Sequence, residues 1–278
     1  MGGSSSCGHF SKAGREVRYC QKVLACGENM QDRKVDEKAG HDWLEGQGFQ
    51  IRAVLDPECF PSDLREAFAS LGIEYAPGVR LVVLAMGGAL LWDRIEGRIH
   101  TCSDPFDSFS IEAAHRVSKE YWGCDQIELL YPGPLPIPLQ RLGQFAGCSY
   151  PSPLGLDLHP VYGPWFAYRV AFLIGTELQL TELGTAGSPC ERCAEKPCVA
   201  ACPASAVAPD DSLDLERCIA HRLVPRSGCT DRCQSRLMCP VGGTWQYSEA
   251  QLRYHGDRSR ESLMQWAQVT IGSHRSDR

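Results

Sequence analysis

The spacing of apolar residues changes several times along the chain, and each change marks an element. "FQIRAVLD" (49–56) reads as a strand. "SDLREAFASLG" reads as a helix, with Ser62 as its cap, Leu64, Phe68 and Leu71 on one face, and Gly72 as its stop. "VRLVVLAMGG" is a continuous apolar run, the pattern of a strand covered on both faces. "SFSIEAAHRVSKEYW" places Ile111, Ala114, Ser118 and Tyr121 at helical spacing, and "QIELLY" (126–131) is a short strand. A proline-rich turning segment follows, with a helical turn or two over Leu139 to Phe145. "WFAYRVAFLI" (165–174) is a second long buried strand.

Strands and helices thus alternate through residues 49–180, which predicts an α/β or α+β sandwich. Beyond Gly184 the chain turns to cysteine, proline, charge and short helical runs. The expected organisation is a disordered leader over 1–45, an α/β domain over 46–183, a cysteine-rich domain over 184–247 and a helical tail over 248–278.

Composition adds little to this picture. Of 278 residues 43% are hydrophobic and 22% charged, as in ordinary globular proteins. A net charge of −6 gives no general attraction to nucleic acid, and none is expected as a partner. The most apolar run, Val79 to Trp92, is too short and too interrupted by Gly87 and Gly88 to span a bilayer. The first twenty residues lack the apolar core of a secretory signal, so a cytoplasmic location is the expectation.

Cysteine changes the picture. There are fifteen, and eight of them lie between Cys190 and Cys239. Cys7, Cys20 and Cys26, in the leader, have no metal-ligand spacing. "CERCAEKPCVAACP" reads C-x2-C-x4-C-x3-C-P, two residues longer than the C-x2-C-x2-C-x3-C-P run that wraps an iron–sulfur cubane. In that run three thiolates hold one cluster and the cysteine before proline reaches the other. The second half, Cys218, Cys229, Cys233 and Cys239, supplies the reciprocal four, and Cys239 also precedes a proline. The expected sets are Cys190, Cys193, Cys198 and Cys239 on one 4Fe–4S cluster, and Cys202, Cys218, Cys229 and Cys233 on the other. The inserted "EK" is expected to bulge outward as a loop. Zinc sites are the alternative metal reading, although paired zinc knuckles usually show two C-x2-C pairs and only Cys190/Cys193 is one.

A second constellation, "SPLGLDLHPVYGPWFAYR", gathers His159, Tyr162 and Trp165 around glycine and proline. Such residues can wall a flat cofactor, and they can equally form a sheet corner packed on its core.

Together, "SPLGLDLHPVYGPWFAYRVAFLI", the C-x2-C…C-x3-C-P run and "GCTDRCQSRLMCPVG" resemble epoxyqueuosine reductase, and more closely a group of related bacterial proteins named ferredoxins. The resemblance implies an α+β fold: a nitroreductase-like α/β sandwich that holds cobalamin, followed by a small dicluster ferredoxin-like domain. It departs from the reductase in two ways. "YPGPLPIPLQRLGQFAG" carries no carboxylate where the reductase has its general acid, and the helical-repeat tail is missing. Both departures disfavour epoxide reduction. Three readings follow: electron transfer by two 4Fe–4S clusters to a redox partner the sequence does not identify; a cobalamin- or flavin-dependent reductase fed by those clusters, with the corrinoid near His159, Tyr162 and Trp165; and a zinc-stabilised binding module.

Overall fold

The computed structural model describes residues 35–184, 187–210 and 212–273. Cys7, Cys20 and Cys26 lie outside the described residues. The described residues form two compact units, one made of those from 35 to 146 together with 167–183, the other of those from 147 to 166 and from 184 to 273.

The first unit mixes helices with a mainly antiparallel sheet. Its elements are α1 (Glu37–Gln47), β1 (Ile51–Leu55), α2 (Ser62–Ser70), β2 (Arg80–Gly87), α3 (Leu90–Ile95), α4 (Pro105–Glu120), β3 (Ile127–Tyr131), α5 (Leu139–Phe145) and β4 (Phe166–Ile174). The strand order is β1-β2-β4-β3. β1 pairs antiparallel with β2, Ile51 opposite Ala85 and Leu55 opposite Leu81. β3 pairs antiparallel with β4, with a register irregularity between Leu129 and Tyr131.

The two longest apolar runs take the two central positions, where side chains on both faces leave water. Leu81 to Gly87 and Val170 to Ile174 are buried throughout. Helices α1, α3 and α4 pack on one another. The outer edge of β1 is covered by the chain after β4: Thr181 donates its N–H to Val54 O, and its hydroxyl accepts from Val54 N. Such cover removes the unpaired ladder that would otherwise face solvent.

Three local expectations shift. α1 begins within the stretch read as a leader and runs two residues past its end, started by Asp36, whose carboxylate accepts from Ala39 N at 3.0 Å. Ser62 is the first residue of α2 and not its cap, a position held by Pro61. The buried stripe of α4 is Ser110, Ala113, Ala114, Val117 and Ser118, one residue round from the predicted face except at Ala114 and Ser118. Small residues on that stripe permit close packing, which the hydrophobicity of Ile111 had obscured.

The second unit is built of loops joined by short helices: α6 (Pro197–Ala200), α7 (Leu215–Leu223), α8 (Gln234–Leu237) and the long α9 (Glu249–Ser273). Asp214 caps α7 by accepting from Arg217 N at 2.9 Å. α6 packs on α8, and α7 on α9. The segment 147–166 belongs to this unit, held by the bridges Tyr150–Leu158 and His159–Gly163. No helix among the described residues is long and apolar enough to cross a membrane.

Candidate metal centre

Eight cysteines of the second unit fall into two groups. Cys190, Cys193, Cys198 and Cys239 line one small pocket together with Leu154, Leu158, Pro197 and Val241. Cys190 and Cys193 enter from the loop leading into α6, Cys198 from α6 itself, and Cys239 from just beyond the end of α8. Burial raises the pKa of the Cys198 thiol, with Cys193 adding to the shift. Burial does the same at Cys239, reinforced by Cys198 and Cys193.

Cys202, Cys218, Cys229 and Cys233 form the other group. Burial raises the Cys218 thiol, and Cys233, Cys202 and Cys229 push it further. Burial also raises Cys229, again with Cys233 and Cys202 contributing. Cys202 behaves oppositely. Burial opposes its ionisation, but backbone N–H groups of Ala206, Val207 and Ala204, with the Ser235 hydroxyl, outweigh that and lower its pKa. The Ala206 N–H lies 3.3 Å from its sulfur. Amides aimed at a sulfur favour the thiolate, the form that binds metal.

Among the described residues, no group of three or more His, Cys, Asp or Glu side chains is arranged to hold a metal ion. The first four thiols instead border a pocket. One zinc ion would require four sulfurs within about 3.8 Å of one another, given Zn–S bonds of about 2.3 Å in a tetrahedron.

The extra "EK" is a local turn. Glu195 is exposed, and Lys196 takes a left-handed conformation, φ 38°, at the start of α6. Its ammonium donates to Pro209 O at 2.8 Å, which pins the turn while Cys198 remains in the pocket.

The His159–Trp165 segment leans on the same unit. His159 Nδ1 accepts from the N–H groups of Val161 (3.1 Å) and Tyr162 (3.2 Å), so its proton sits on Nε2. Burial holds its pKa down at about 4. The Tyr162 ring packs edge-on against Trp245, centroids 5.0 Å apart. Trp165 is fully buried, its ring against Tyr247, with the Arg236 guanidinium 4.5 Å from the ring centroid. Arg236 also donates through Nε and Nη2 to Pro164 O. Gly163 and Gly242 both have positive φ, and a Cβ on either would collide with the opposing backbone, at Val241 O and Tyr162 O respectively. This backbone contact places the HPVYG turn directly on the residues that follow Cys239.

Sequence reasoning missed three groups. Ser235 and Thr230 each keep a buried hydroxyl oxygen with no hydrogen-bond partner among the described residues. In the first unit, burial raises the Glu128 carboxyl, and its Oε2 is buried without a partner. The clue for Ser235 was present as "SRLMCP", which mirrors "CVAACP". Nothing in the local pattern marked Thr230 or Glu128.

No protein-family model matches the chain, and no curated protein matches it in sequence. Solved structures similar in chain course include an epoxyqueuosine reductase in complex with a tRNA-Tyr stem loop, at 13% identity and TM-score 0.49 over 78% of this chain and 68% of that one. Another is the epoxyqueuosine reductase from Bacillus subtilis, at 14% identity and TM-score 0.48 over 76% and 66% of the two chains. A third is CblC, a B12-trafficking protein from C. elegans, at 14% identity and TM-score 0.43 over 81% and 95%. The chain spans about two-thirds of the reductase chains. At these levels the likeness is partial, and activity does not transfer with it.

Proposed function

We propose that the second unit is a dicluster ferredoxin-like domain that binds two 4Fe–4S clusters and transfers electrons. Cys190, Cys193, Cys198 and Cys239 would hold one cluster, and Cys202, Cys218, Cys229 and Cys233 the other. The observation that carries this reading is the first pocket, where three thiols of one motif meet a thiol from more than forty positions further along. The donor set fits the group. Cys190, Cys193, Cys198 and Cys239 border one cavity whose gaps apolar side chains line, and backbone amides face Cys202 of the other set.

Bound clusters would supply one-electron transfer. The chain's own contribution is to present the thiolates, shield them with Leu154, Leu158 and Val241, and set their charge balance through N–H donors.

The test is anaerobic reconstitution followed by iron and acid-labile sulfide analysis. About eight of each per chain are expected, falling to about half in Cys239→Ser. Stoichiometric zinc without acid-labile sulfide would overturn the proposal.

A second reading, favoured by Glu128, makes the first unit a nitroreductase-like reductase domain that accepts those electrons on cobalamin or flavin. A carboxyl whose pKa burial raises is suited to hand on a proton, a role that electron transfer alone does not need. Cobalamin titration of the reconstituted protein tests it: the corrinoid spectrum is expected to change on binding. An unchanged spectrum, with no flavin copurifying, would rule it out.

A further inference from the structure

Ser235 has no role in ligation, yet it is 1% exposed and its hydroxyl finds no partner at ordinary hydrogen-bonding distance among the described residues. Burying an unsatisfied hydroxyl costs about 1–3 kcal/mol, so a position that keeps one needs an acceptor that the protein atoms alone do not provide.

Its place in the fold indicates that acceptor. α6 and α8 are four-residue helices packed on each other. Cys198 is the second residue of α6, and Cys202 follows four positions later, before Pro203. Ser235 is the second residue of α8, and Cys239 follows four positions later, before Pro240. Ser235 therefore occupies on one helix the position that a pocket-lining thiol occupies on the other. Because α6 and α8 pack on each other, Ser235 is buried beside the helix that runs on into Cys202. Thr230, next to Cys229 of the same set, also keeps its buried hydroxyl oxygen without a partner.

We propose that Ser235 is a positioning residue that donates its hydroxyl to sulfur of the cluster held by Cys202, Cys218, Cys229 and Cys233, and so raises that cluster's reduction potential above that of its neighbour. The inference rests on the two-cluster reading. A donor to sulfur stabilises the reduced, more negative state, and cluster potentials follow such hydrogen bonds and solvent exposure. Exposure acts in the same direction, because Cys233 of this set is exposed while the other set lines an apolar pocket. Electrons would thus settle on the Cys202 set first.

The test is an EPR-monitored redox titration of the reconstituted full chain. Wild type is expected to show two separate midpoints. Ser235→Ala should lower the reduction equilibrium constant of one cluster about tenfold, equivalent to about 59 mV for one electron, and leave the other cluster unmoved. Ser235→Thr, which keeps the hydroxyl, should restore the wild-type value. Two intact clusters whose midpoints move in neither variant, or move equally in Ser235→Ala, would overturn this assignment and leave the two-cluster reading standing. A reconstituted wild-type chain without acid-labile sulfide would overturn both.

Discussion

His159 shows how one side chain can serve geometry before chemistry. Its Nδ1 accepts two backbone N–H groups, which a protonated ring could not do. The folded pKa, about 4, lies below the ordinary 6.5, so the unfolded chain takes up the proton first as pH falls. Stability from this site is complete above pH 6.5 and is lost as pH drops toward 4. His159→Asn, which keeps an acceptor near the Nδ1 position but does not titrate, should flatten that acid limb. Urea midpoints measured between pH 7 and about 4 check this, and an unchanged acid limb would mean that another group controls it. The same geometry keeps the ring proton on Nε2, while Trp165 is covered by Arg236 and Tyr247.

At the scale of elements, the HPVYG turn and the chain after Cys239 act as one piece. Gly163 is needed twice over, for its φ of +55° and because Val241 O occupies the space of a Cβ. Gly163→Ala should destabilise the second unit by about 2–4 kcal/mol, combining left-handed strain with overpacking. It should also displace Cys239, two residues from the contact, so reconstituted iron should fall toward half. Thermal denaturation and iron analysis measure the two effects separately. Retention of full stability would show that the loops part easily. The long strands were legible in sequence because their continuous apolar runs match strands covered on both faces, as in β2 and β4. The α4 face was misjudged because small residues, Ser110 and Ala113 among them, took the tight interface. α1 was missed because its polar and charged residues hide a stripe of only Gly40 and Leu44.

For the whole molecule, the two units differ in what holds them together. The first has a four-stranded sheet with aromatic packing such as Phe60 against Phe68 and Phe145, centroids 5.2 and 5.7 Å away. The second is short helices and loops around thiols, so on the proposed reading metal binding is part of its folding energy. Chelating iron from the reconstituted chain should therefore raise amide exchange across residues 190–240 while β2 and β4 stay protected. Hydrogen-exchange mass spectrometry reads this directly, and uniform protection in the apo protein would argue against it.

The sequence by itself determined the alternation of strands and helices, the change of character near Gly184 and the crowding of eight cysteines between 190 and 239, because period and spacing are local properties. Only the tertiary structure decided that residues 147–166 join the second unit and that Trp165 is sealed beneath Arg236. It alone also decided that Ser235 is buried on α8, with its hydroxyl oxygen unpartnered among the described residues. Those facts depend on which backbones approach closely enough to exclude a side chain or a solvent molecule, and no local pattern encodes that.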